Sequence, residues 1–174
     1  AYKVVNTYSK EDLIRIFKEY GEEVYANRIA SKIVKERDNK PIKTTLELVE
    51  IIKSAVPEKY KREKHPARKV FQAIRIEVND ELNVFELALK DAFEILNIHG
   101  RICTITFHSL EDRICKNLYK EVSTLPKELQ KMPIVPAELK PKFKVIDNMT
   151  PSDKEKNENI RSRSARLRVI ERIK

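Results

Sequence analysis

The chain has 174 residues, enough to bury a real core, and 41% apolar content to build one, so it reads as a globular protein or a large piece of one. The 36 Lys and Arg outnumber the 27 Asp and Glu to give a net charge of +9, and the pI is near 9.5. That balance favours polyanionic partners, nucleic acid ahead of an anionic membrane surface, while two cysteines exclude a disulfide framework and no apolar run approaches membrane-spanning length.

The Lys/Glu-rich surface and the free cysteines suit a reducing cytoplasm, with no signal peptide to redirect the chain. Cys103, Cys115, His65, His99 and His108 show no metal-ligand spacing. Gly21 and Gly100 are the only glycines, so the sequence holds no glycine-rich loop through which a backbone could cradle a cofactor phosphate or nucleoside. It begins at Ala1 and not at Met, as expected of a processed product or part of a longer protein.

"YSKEDLIRIFKEYG" predicts a helix with Ser9 as N-cap, Asp12 at its third position, Tyr8 and Leu13 as a hydrophobic staple and Gly21 as the stop. A second helix is expected from Glu22 to Arg37, with Ala26, Ile29, Ala30, Ile33 and Val34 on one face. A third opens at "TTLE", where Thr44 and Glu47 have capping-box spacing, and ends before Pro57. The segment "PEKYKREKHP" then reads as a basic, proline-bounded connector at a domain boundary. The cluster 61–69 is expected to be solvated.

"ARKVFQAIRIEVNDELNVFELALKDAFEIL" predicts two consecutive helices, with Pro66 in a first-turn position and Val84, Leu87, Ala88, Phe93 and Leu96 on the apolar face. "GRICTIT" predicts a buried strand over 101–107, followed by a helix from Ser109 to about Val122, an α/β order. Prolines 126, 133, 136 and 141 mark an irregular stretch. "KFKVI" is expected as a short strand and "TPSDKEKNEN" as a short helix capped by Thr150. The tail "SARLRVIERI" alternates as a half-buried strand with a basic outer face.

Two stretches carry candidate chemistry. In "FHSLEDR", Ser109 is expected to cap the helix and Asp112 to favour its N-terminus, while His108 either contacts a substrate base or phosphate or is a satisfied boundary residue. Arg113 could reach a phosphate or pair with a neighbouring carboxylate. A triad of His108, Ser109 and Asp112 is disfavoured, because adjacent residues on a strand-to-helix turn cannot easily point at one another in nucleophile, base and orienter order. In "NENIRSRSARLR", Arg161, Arg163, Arg166 and Arg168 among serines are expected to form an RNA-backbone patch, since Glu158 and Glu171 are too few to neutralise them, the alternative being a solvated strand face whose arginines pair with acidic neighbours. Among Glu77, Asn79, Asp80 and Glu81, Asn79 is the short amide able to orient a base.

"VVNTYS", "ERDNKPIKTTLELVEIIKSA", "HPARKVFQAIRIEVNDEL", "GRICTITFHSLEDR" and "NIRSRSARLRV", in this order, resemble the bacterial 16S ribosomal RNA (cytosine-N4) methyltransferases, which use S-adenosylmethionine. The resemblance runs from about Val4 to Arg172. It implies an α/β fold: the second half of a Rossmann-like methyltransferase sheet over 66–174, preceded by a small all-helical inserted domain over 1–65 that helps hold RNA. "FHSLEDR" would then follow a central strand at the edge of the active-site cleft, with His108 and Ser109 as substrate contacts and small-subunit ribosomal RNA or the subunit as partner.

The departures carry equal weight. The family's "GGGH"-type loop, the acidic residue for the cofactor ribose and later Asp and Gln residues precede the inserted domain, and none is in this sequence. "NIHGR" stands where a Pro-Gly-Gly turn is usual, and "NIRSRSARLR" where Asn-Pro-Arg is usual. The chain alone is therefore expected to hold no cofactor and to be inactive, and its strand at 101–107, lacking partners, to promote self-association. The alternatives are a non-catalytic RNA-binding or ribosome-associated module, and a hydrolase using His108 and Asp112, which has only local spacing behind it.

Overall fold

Helix signals dominate the first half of the chain, and each is answered by an element of the computed structural model, which describes every residue except 64, 127, 128 and 133 and the side chain of 63. Pro133 and Lys64, which the sequence places in the irregular stretch and the basic connector, thus lie outside the described residues. The chain divides into two compact units, Ala1–Glu81 and Leu82–Lys174.

The first unit is helical: α1 (Tyr2–Thr7), α2 (Lys10–Glu19), α3 (Ala26–Asn39), α4 (Thr45–Ala55), α5 (Glu58–Glu63) and α6 (Ala67–Asn79). Ser9 caps α2 by accepting from the Asp12 N–H, and Thr44 and Glu47 form the reciprocal capping box of α4. Leu13, Ile16, Phe17, Ile29, Ile33 and Ile52 are fully enclosed where these amphipathic faces meet.

Two expectations are corrected here. Gly21 does not end α2 through a left-handed backbone, because the residue with positive φ is Glu22, at 48°. Gly21 is small because α6 passes over it: a Cβ there would lie 2.7 Å from the Phe17 carbonyl oxygen and 2.8 Å from that of Lys69. The segment after Pro57 holds α5, and Tyr60 on it packs edge-on against Tyr25 and donates to Glu23 at 2.9 Å. Burial and that bond push the Tyr60 phenol up to about 12. α6 buries Ala67, Val70, Ala73 and Ile74 in the helical core, and the compact units part between Glu81 and Leu82.

Asp80, at φ 51°, breaks α6 from α7 (Glu81–Ile95), giving the two consecutive helices. The buried face of α7 is Leu89 and Phe93 with Phe85 and Leu96 against them, whereas Val84, Leu87 and Ala88 of the expected face are exposed. β1 (Arg101–Thr106), α8 (Ser109–Ser123), β2 (Phe143–Met149), α9 (Asp153–Glu158) and β3 (Arg166–Arg172) complete the second unit. Ser152, and not Thr150, caps α9.

The sheet has order β1-β3-β2 and is antiparallel throughout. β3 is its centre, and the strand after Gly100 is an edge strand among the described residues. Its exposure alternates, with Thr104 and Thr106 buried and Cys103 and Ile105 outside. One sheet face packs on α8 around Cys115, Leu118, Tyr119, Phe143 and Ile170. The Tyr119 hydroxyl shares a 2.8 Å bond with Thr104, and its burial raises its pKa strongly.

Candidate functional site

β1 delivers Phe107 and His108 to the start of α8, and the first turn of that helix is built by carboxylates. Its N-cap is His108 and not Ser109: the imidazole Nδ1 accepts from the Glu111 N–H at 3.4 Å, while Ser109 is the exposed first helical residue. Glu111 reaches back to accept from the Phe107 N–H at 2.8 Å and lies 3.2 Å from His108 Nε2. Burial opposes ionisation of Glu111, yet its contacts with His108 and the Phe107 N–H outweigh it and hold the carboxyl below the usual range. The imidazole Nε2 is enclosed and misaligned for a hydrogen bond to Glu111 despite that distance.

Asp112 faces elsewhere. It accepts two bonds from Arg168 on β3, Nε at 2.8 Å and Nη2 at 3.1 Å, and Arg166 Nε lies 3.7 Å from it. The Arg168 bond holds the Asp112 carboxyl below its ordinary range against the cost of burial. Because Asp112 serves Arg168, it does not orient His108, and the three residues make no catalytic triad.

The expected arginine patch therefore divides. Arg168 is 9% exposed, on the α8 side of the sheet beside Thr104, and the basic outer face read for β3 is in fact this covered face. Arg166 is half-buried and also donates to Asn148 at 3.3 Å. Arg161 and Arg163 lie on the turn before β3, both exposed, with no carboxylate partner among the described residues. Ser162 between them is buried and donates inward to the Asn159 carbonyl at 2.8 Å, so its hydroxyl is committed to the turn. Arg113 is exposed on α8. Asn79 belongs to the helical unit, where it donates to Glu81 at 3.0 Å beside the Arg75–Glu81 pair.

Sequence reasoning missed two members of this region. Glu111, three residues after His108, has capping-box spacing relative to a histidine, a less common cap than the adjacent serine. Phe107, expected as the last residue of a buried strand, stands half exposed just beyond its end.

Neither glycine fits the role of a cofactor cradle. Gly21 is packed under the backbone of α6, and Gly100 lies in the turn before β1, close to the Asn97 carbonyl and the Leu96 side chain. His99 beside it takes φ 65° where a glycine would be at ease.

The fold and this junction define a class: a mixed α/β protein with an antiparallel three-stranded sheet, a carboxylate-braced strand-to-helix turn and an unneutralised arginine pair. The chain belongs to the MraW methylase family, whose model matches residues 1–173. It is 50% identical over 177 aligned residues to the ribosomal RNA small subunit methyltransferase H of Exiguobacterium sibiricum. The alignment covers all of this chain and 57% of that relative, so the chain spans little more than half the relative's length. Among the described residues, no helix is long and apolar enough to cross a membrane, and no His/Cys/Asp/Glu group is placed to hold a metal ion.

Proposed function

We propose that this chain is the RNA-facing part of an S-adenosylmethionine-dependent methyltransferase that modifies N4 of a cytidine in small-subunit ribosomal RNA. The observation that carries the reading is the end-to-end match to the methylase family, joined by 50% identity along the whole chain to a relative named for small-subunit ribosomal RNA methylation. Arg161 and Arg163, exposed and without carboxylate partners among the described residues, supply the phosphate contacts. Ser109, exposed at the start of α8, and His108, which caps that helix, border the substrate cleft, with the helical unit as a second RNA-holding element. A cytoplasmic setting follows from that substrate.

The chain by itself holds no S-adenosylmethionine and transfers no methyl group. Transfer to an exocyclic amine requires the methyl held in line with the nitrogen, and the cradle that would hold it is absent from these residues. Calorimetric titration of S-adenosylmethionine into the chain, beside the chain joined to the glycine-rich segment of its longer relatives, is the test. Binding by the joined protein alone is expected. Binding by the shorter chain would place the cofactor site among these residues, and no binding by either would defeat the methyltransferase reading.

Self-association of the isolated chain is part of the same proposal. The outer edge of β1 has no strand beside it among the described residues, and Ile105 and Phe107 stand exposed along it. Sedimentation is expected to show mass rising with concentration, and a single monomeric species throughout would count against it.

A further inference from the structure

The sheet face opposite α8 carries a row of apolar side chains at one register. Ile105 on β1 pairs with Leu167 on β3, and Leu167 with Met149 on β2, so the three lie side by side across all three strands. The turn between α9 and β3 walls this row off into a cavity of about 580 Å³, within the range of sites that hold a small ligand. Phe107, 53% exposed, lines it too, with Arg161 from the turn and Glu155 from α9.

The ingredients match one ligand chemistry. A large exposed aromatic ring beside apolar walls is a stacking platform for any base. An arginine without a carboxylate partner among the described residues suits the phosphate of the same nucleotide, and the Glu155 carboxylate can accept from an exocyclic amine. The platform is also held in place, because Glu111 fixes the Phe107 N–H at 2.8 Å and Ser162 pins the turn that carries Arg161.

We infer that this cavity binds one unstacked nucleotide of single-stranded RNA, its base against Phe107 and over Ile105, Leu167 and Met149, and its phosphate on Arg161. The inference rests on the methyltransferase reading for the identity of the polyanion, and on the +9 charge and the unneutralised arginines for choosing RNA over an apolar partner.

The test is fluorescence titration of the full chain with a short unstructured RNA carrying one 2-aminopurine, whose emission is quenched on stacking. Wild type is expected to bind and quench. Phe107→Ala should weaken binding about tenfold and abolish the quench, while Phe107→Tyr keeps both. Arg161→Ala should weaken binding and lower the salt dependence by about one counterion, with the quench retained at saturation. Phe107 is half exposed, so its truncation leaves the fold intact, and circular dichroism of both variants checks this. Quenching and affinity unchanged in Phe107→Ala, or displacement of the RNA by S-adenosylmethionine, would overturn the cavity assignment. Absence of RNA binding by wild type would overturn it too. Methylation of small-subunit RNA by the joined protein, measured separately, decides whether the broader reading falls with it.

Discussion

Truncating Arg168 to alanine is expected to destabilise the C-terminal unit by about 3 kcal/mol at neutral pH, the lower end for breaking an enclosed ion pair. Arg168 lies on the central strand and donates twice to Asp112, so its loss leaves a carboxylate that is only 26% exposed, with Arg166 at 3.7 Å and the more weakly acting Lys116 as cations near it. The pair ties the first turn of α8, which bears His108, to the middle of the sheet. Arg168→Lys should recover only part of the loss, because an ammonium cannot reproduce the two-pronged bond.

The same pair sets a pH signature. The folded-state pKa of Asp112 is depressed, chiefly by the Arg168 bond, so its stabilisation is present above the unfolded value of about 3.9 and is lost as pH falls through the folded one. The gap in stability between wild type and Arg168→Ala should therefore hold from pH 7 to about 5 and shrink below about 4. Denaturant unfolding followed by tyrosine dichroism measures it. A gap under about 0.5 kcal/mol, or one that does not change on acidification, would show that the pair contributes little.

Gly21→Ala is expected to cost about 2 kcal/mol in the helical unit, the usual penalty for forcing an extra group into a packed site. The backbone of Gly21 has no positive φ, so strain in the turn is not the cause. The added methyl would meet two backbone carbonyls, of Phe17 and Lys69, and neither can swing aside as a side chain could. Moving them means parting α6 from the end of α2, where Phe17, Val70 and Ala73 are buried in one core. A thermal melt of the variant that overlays wild type would show that the helices yield at no cost.

The helices were legible because their signals are local. Ser9, Thr44 with Glu47 and the Ile29/Ile33 spacing each act within a turn or two of chain, and each is found as read. α1 escaped notice, being six residues long and lacking a side-chain cap. The apolar face of α7 was misread because Val84, Leu87, Phe85 and Leu89 offer two stripes, and only the neighbours it packs against choose between them.

The site was legible as a place more than as an arrangement. The strand, the junction at 107–109 and the arginine run are where the sequence put them, but which arginine is exposed depends on which face of β3 meets α8. An arginine at a strand position looks the same in sequence whether it reaches solvent or a carboxylate 56 residues away. The capping role of His108 was likewise hidden, since serine is the commoner cap and the choice turned on where β1 stops.

By itself the sequence determined the helical first half, the strand-junction-helix motif, the basic charge, the want of a glycine-rich loop and the resemblance to a methyltransferase family, because composition and short-range spacing carry all of these. Only the tertiary structure decided that β3 is the centre of an antiparallel sheet, that Arg168 is locked to Asp112 while Arg161 and Arg163 lack carboxylate partners among the described residues, and that Phe107 stands over an apolar cavity. Those outcomes depend on pairings between residues far apart in the chain, and a strand's own alternation leaves both of its faces open until a partner covers one.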